Sequence, residues 1–298
     1  MNAAVSLLSK VLPATVHIET VVPAEHPSAG ILGTERMGSG VVVDPDGFIL
    51  TVNYVVIGAA EVRVTLPDQR AYVAEVVRHD FTSGLALVRI AEHGLPAVPL
   101  RRSTDARLGE DVFMVASVGE GNVRVSTGAV SYLGSFDANW EYVLDRAIMT
   151  TNMNPGLGGG PLLDVRGHVL GVVSLNLSEV GRFALAIPSE HYLDAFDAFH
   201  GSGRGALKPR AWLGLFCQVM NGHVVIAGVL PGSPGAAAGL KPGDVILAVD
   251  DQDLEDRASL YRRLWTRQPG EPVRLNVFRG REARQVVVSL GDVAEFFA

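Results

Sequence analysis

The feature that most constrains this chain is a recurring run of four to eight apolar and β-branched residues set between Gly, Pro and Asp. It is seen in "GVVVDPDGFIL", "EVRVTLPD", "LALVRI" and "HVLGVVSLNL". Such runs fit a pleated, largely buried strand, and the intervening residues supply turns. The first two hundred residues therefore read as all-β. A helical spacing first becomes clear in "SEHYLDAFDAFH", where Tyr192, Leu193, Phe196 and Phe199 repeat and Ser189 stands where an N-cap would.

The segment "GSGRGALKPR", residues 201–210, reads as a linker because it is small, basic and ended by proline. Beyond it the texture becomes mixed. "HVVIAGVL" and "EPVRLNVFRG" read as strands, "SPGAAAGL" as a short helix ended by Gly239, and "DRASLYRRLWTRQ" as a longer helix capped by Asp256. The expected division is 1–200, a linker over 201–210, and a small α+β domain over 211–298.

The composition narrows the function. Of 298 residues, 48% are hydrophobic and 19% charged, enough apolar material for two cores. A net charge of -7 without a basic run argues against nucleic acid or an anionic membrane as partner. No apolar run is long enough to span a membrane. The single cysteine, Cys217, cannot form an internal disulfide, and Lys10 interrupts the short apolar opening. The reading is a cytoplasmic protein, or an extracytoplasmic one if the N-terminus has been trimmed. The histidines show no metal-ligand spacing, and no cofactor motif is present.

The stretch "NPGLGGGPLLD", residues 154–164, is glycine-rich but carries no nucleophile. The spacing of Gly156, Gly158 and Gly160 is not a dinucleotide fingerprint, because strand-like residues follow where a helix should open. The string resembles the nucleophile loop of the HtrA-type trypsin-like serine proteases, "NPGNSGGPL". "GSGVVVDPDGFILTVNYVV" and "DFTSGLALVRI" are similar to two further segments of that family. The resemblance implies a trypsin-like double β-barrel. It places Tyr54 at the position of the family's histidine, Gly84 at that of its aspartate, Gly158 at that of its serine and Leu157 at that of its asparagine. Thr150 stands where the family often has an aspartate.

A glycine cannot attack a carbonyl, and tyrosine is a poor base near neutrality. Ser83 and His79 lie close by in sequence but do not occupy the vacated positions. The expectation is a chain that is not an enzyme, a pseudoprotease in which Tyr54 fills the old cleft. Its backbone N–H groups at Gly156 and Gly158 would remain as a vestigial oxyanion loop. A working serine endopeptidase with an unconventional nucleophile is the alternative.

The second domain, through "WLGL" and "PGSPGAAAGLKPGD", resembles a PDZ domain. That resemblance implies capture of a peptide C-terminus by Trp212, Leu213, Gly214 and Leu215, with the backbone amides on the carboxylate and the leucines lining a pocket. The partners implied are peptides or protein C-termini for the PDZ domain and, from the resemblance of the first domain to the protease family, active homologues and copies of the chain itself in a trimer.

Overall fold

The apolar runs become strands in the computed structural model, which describes residues 3–156, 158–177, 181–201, 205–206 and 208–298. Two units result. One comprises residues 1–134 and 145–207; the other comprises 135–144 and 208–298.

The first unit opens with the helix Ala3–Val11, and its strands then form two β-layers. An eight-stranded sheet has Glu35–Asp44 between Thr15–Val21 and Phe48–Val52, with Leu85–Arg89 beyond. The other layer is a closed barrel of six strands, Tyr142–Thr150, Ala184–Pro188, Val169–Asn176, Pro161–Asp164, Asp111–Ser117 and Val123–Ala138. Fully buried aliphatic residues explain the closure: Met114, Ile148, Leu162, Leu170 and Val173 share one core. Burial of such side chains is the main stabilising contribution, about 1.5 to 3 kcal/mol each.

In the second unit the strand Leu215–Met220 forms the edge of a sheet continued by His223–Val229, Val245–Val249, Pro272–Arg279 and Glu282–Ser289. The helix Arg257–Leu264 packs Leu260, Tyr261 and Leu264 into its core. Asp256 caps that helix as expected, accepting from Ser259 N, with Ser259 Oγ reciprocating as acceptor for Asp256 N. Ser233 caps Pro234–Ala237, and Gly239 follows with φ of +76°.

Two local expectations need correction. "SEHYLDAFDAFH" is two short helices, Glu190–Leu193 and Phe196–His200, rather than one. Each buries one aromatic residue, Tyr192 or Phe199, while Phe196 stays exposed, and Ser189 Oγ donates to the Arg101 carbonyl instead of capping. The linker over 201–210 is also partly structured. Gly205–Ala206 pairs in parallel with Arg78 and His79, and Arg210 is buried with its guanidinium 3.6 Å from the Trp265 ring centre. Residues 202–204 and 207 lie outside the described residues.

Candidate functional site

In the first unit the fold gathers the three positions singled out by resemblance. The strand Phe48–Val52 runs into a single helical turn, Asn53–Val56, whose first N–H donates to the Gly84 carbonyl at 2.7 Å. Arg36 fixes this turn from outside, donating to the Tyr54 and Ile57 carbonyls at 3.1 and 2.9 Å. Tyr54 is thereby aimed at the loop 154–164. A Cβ added to Gly158 would lie 2.0 Å from the Tyr54 hydroxyl oxygen. That hydroxyl donates to the Ser174 carbonyl at 3.0 Å, and burial pushes its pKa up to about 12. The Tyr54 hydroxyl, a neutral hydrogen-bond donor, therefore stands in the space beside residue 158.

The glycines of the loop have a steric explanation. Gly158 accepts from Ser39 N at 2.7 Å, and Gly159 follows with φ of +99°. A Cβ at Gly159 would stand 2.0 Å from the Ser39 carbonyl oxygen, so backbone meets backbone where no side chain fits. Of the two N–H groups expected to form an oxyanion loop, Gly156 N donates to Asn154 Oδ1 at 3.1 Å. Leu157 lies outside the described residues.

The neighbouring candidates are held structurally. Ser83 is fully buried and donates to the Asp80 carboxylate, whose backbone carbonyl accepts from Gly84 N. Gly84 itself turns with φ of +81°. His79 pairs through Nδ1 with Asn53 Oδ1, and burial lowers its pKa to about 4, which leaves the ring neutral at pH 7. Thr150 is buried, with its hydroxyl lacking a hydrogen-bond partner among the described residues.

The second unit contains a site of different character at residues 212–215. Gly214, with φ of +80°, turns the chain so that successive N–H groups converge. Leu213 N, Gly214 N and Leu215 N all donate to the carboxylate of Glu141, at 3.1, 2.7 and 2.8 Å for their shortest contacts. The side chains of Leu213 and Leu215 are buried in the core, and Trp212 packs on Phe296 at 4.7 Å between ring centres. So the backbone of the expected peptide site is arranged to donate to a carboxyl group, while its leucines serve packing. Glu141 was not foreseen as a participant.

Burial raises the Glu141 pKa from 4.5 to about 7, and the three N–H donors and Arg210 oppose that rise. Cys217, on the adjoining strand, is buried with its thiol pushed up to about 12, which suits a packed thiol rather than a nucleophile. Among the described residues no cluster of His, Cys, Asp and Glu could hold a metal ion, and no helix is long and apolar enough to cross a membrane.

Residues 38–172 match the family model of the trypsin-like peptidase domain, and residues 211–290 match that of the PDZ domain. A probable periplasmic serine endoprotease DegP-like from Hahella chejuensis is 33% identical over 278 residues, covering 87% of this chain and 58% of the relative. One with the same description from Halomonas elongata is 32% identical over 275 residues, covering 86% and 56%. The chain thus spans less than three fifths of the length of these relatives. Among solved structures, the HtrA-type protease AlgW with a tripeptide matches at 27% identity with a TM-score of 0.61, over 98% of this chain and 97% of that one.

Two expectations are corrected by these relatives. They are named serine endoproteases, which overturns the expectation that the chain is not an enzyme and removes support for the pseudoprotease reading. They are also named periplasmic, which overturns the cytoplasmic expectation drawn from the opening residues and the single cysteine.

Proposed function

The chain belongs to the HtrA-type family of trypsin-like peptidases with a C-terminal PDZ domain, and from that premise we propose that it acts on polypeptides in periplasmic protein quality control, as a member of the serine endoprotease class that captures C-termini at residues 213–215. The observation that carries this reading is the convergence of three backbone N–H groups on one carboxylate. A chain terminus presents the same two acceptor oxygens, and charge-assisted bonds to them are the strong kind. The adjoining strand Leu215–Met220 is the sheet edge along which a peptide would pair. AlgW, solved with a tripeptide and with a decapeptide, supports peptides as the ligand class.

Hydrolysis by this chain requires a nucleophile other than residue 158, because glycine has no side chain to attack with, and a base other than the protonated Tyr54. The test treats the purified chain with fluorescent casein and a fluorophosphonate. Casein turnover that tracks with an adduct on one serine supports the reading and identifies the nucleophile. Intact casein and an unlabelled chain would reject the hydrolytic part. Tighter binding of a peptide with a free C-terminus than of its amide supports capture separately. Association into trimers or with active homologues belongs to the same proposal, and light scattering of the chain alone and mixed with such a homologue tests it.

A further inference from the structure

The strands Val123–Ala138 and Tyr142–Thr150 are joined by a three-residue tip, Asn139–Trp140–Glu141, which belongs with residues 208–298 in one unit. The tip follows the course expected of a ligand peptide. Its Asn139 carbonyl accepts from Cys217 N on the edge strand at 2.7 Å and from the Tyr261 hydroxyl of the helix Arg257–Leu264 at 3.1 Å. Two residues later Glu141 delivers its carboxylate to Leu213, Gly214 and Leu215. On the other side Arg257 donates from Nε to the Asp137 carboxylate at 2.6 Å and from Nη2 to the Asp137 carbonyl at 2.9 Å. Glu141 adopts φ of +58°, an uncommon conformation for a residue with a side chain. Its three carboxylate bonds hold it there.

We propose that Glu141 is a built-in ligand of the carboxylate loop, so that a polypeptide's terminal carboxylate enters only by displacing the 139–141 tip. This rests on the capture reading above and adds its regulation. The argument is one of shared chemistry. A glutamate side chain and a chain terminus offer the same carboxyl oxygens, and the loop has one set of three donors. The tether also favours the tip, since an attached ligand acts at an effective concentration on the order of millimolar. A free peptide therefore shows an affinity reduced by the fraction of molecules whose tip has left.

The test uses the full chain and two probes, a fluorescein-labelled decapeptide ending in leucine with a free α-carboxylate and the same peptide amidated. Fluorescence anisotropy should give at least tenfold tighter binding of the free peptide to Glu141→Ala than to the unaltered chain. Arg257→Ala, which loosens the tip at Asp137 and leaves the loop donors in place, should tighten binding about threefold. Equal affinities for the unaltered chain and Glu141→Ala, with amidation still weakening both, would overturn displacement and leave capture standing. Free and amidated peptides bound alike, or not at all, by both would overturn capture itself.

Hydrogen exchange on the unaltered chain provides a readout independent of whether the variants fold. Saturation with the free peptide should increase deuterium uptake over residues 137–142, and the amidated peptide at equal concentration should not. Bound free peptide with unchanged uptake there would sink the proposal.

Discussion

The molecule has two backbone cradles with opposite contents. Around residue 158, a loop whose relatives are serine endoproteases meets a tyrosine hydroxyl where a side chain would begin. At residues 213–215 the cradle holds a carboxylate on three converging N–H groups. The first is closed by volume, and the second is filled by the chemical group it suits. A cradle closed by volume resists any added side chain. One filled by a competing ligand responds to whatever weakens that ligand. The two kinds of occupancy therefore break under different perturbations.

The largest expected effect is steric. Gly159→Ala combines a φ of +99° with a Cβ placed 2.0 Å from the Ser39 carbonyl oxygen and 2.4 Å from Thr51 Oγ1. Neither neighbour is the far end of a flexible chain. The substitution should cost roughly 3 kcal/mol or more, from positive-φ strain plus overpacking. Urea unfolding measures it, and a loss below about 1 kcal/mol would show that the loop relaxes easily.

The carboxylate cradle should instead respond to pH. Glu141 has its ordinary value of 4.5 when released and about 7 when docked. The docked state thus binds the proton more tightly. Its docking is strongest below pH 4.5, weakens as pH rises to about 7, and is constant above, with a span on the order of 3 kcal/mol. Facing charges and titratable groups come from Arg210 before the first strand, Cys217 on the edge strand, and Arg257 and Tyr261 on the helix. The free peptide should bind the unaltered chain more tightly at pH 8 than at pH 5. Glu141→Gln corrects for the peptide's own titration. The same pH trend in that variant would exclude Glu141 as its source.

The unequal legibility of the two cradles has a physical cause. The strands, the helix cap at Asp256 and the glycine loop are written in short contiguous patterns, because turn chemistry and alternation are local. Positions 54, 84 and 158 could be brought together on paper only through resemblance, and the structure links them by the Asn53–Gly84 bond and the Tyr54–Ser174 bond. Glu141 was illegible for another reason. Its partners are main-chain N–H groups more than seventy residues away, which every residue but proline carries, so no motif marks the pairing. The left-handed backbone at a glutamate gives no signal in sequence either, since glycine or asparagine would be expected there. The cytoplasmic expectation rested on the short apolar opening interrupted by Lys10 and on the single cysteine, neither of which is tied to a compartment by physical necessity, and the relatives are named periplasmic.

A smaller effect sharpens the account of the first cradle. Gly158→Ser in the unaltered chain must push the Tyr54 hydroxyl aside, and should cost roughly 2 kcal/mol. In a Tyr54→His background the obstruction is gone. A double-mutant cycle on urea stability should therefore give a coupling of about 1 to 2 kcal/mol between positions 54 and 158. Additive losses would mean that the tyrosine does not hold that volume. Adding Gly84→Asp to these two changes should raise activity toward casein only modestly, because a misplacement of about 1 Å can cost on the order of 10² in rate. Gly156 N is meanwhile engaged by Asn154.

The smallest expected effect separates the hydroxyl of Tyr54 from its ring. Tyr54→Phe keeps the aromatic volume and removes the donor to the Ser174 carbonyl, whose residue is buried. Leaving that acceptor without its partner should cost about 1 kcal/mol, whereas Tyr54→Ala, which also opens a cavity, should cost roughly 1 to 4 kcal/mol. Removal of the oxygen also clears the atom nearest to an added Cβ at residue 158, so Gly158→Ser should be milder on Tyr54→Phe than on the unaltered chain. If Phe and Ala at position 54 destabilise equally, the hydrogen bond accounts for the stabilisation and the ring does not. The cradle would then be closed by one polar contact, and its difference from the carboxylate loop would lie in the charge of the occupant.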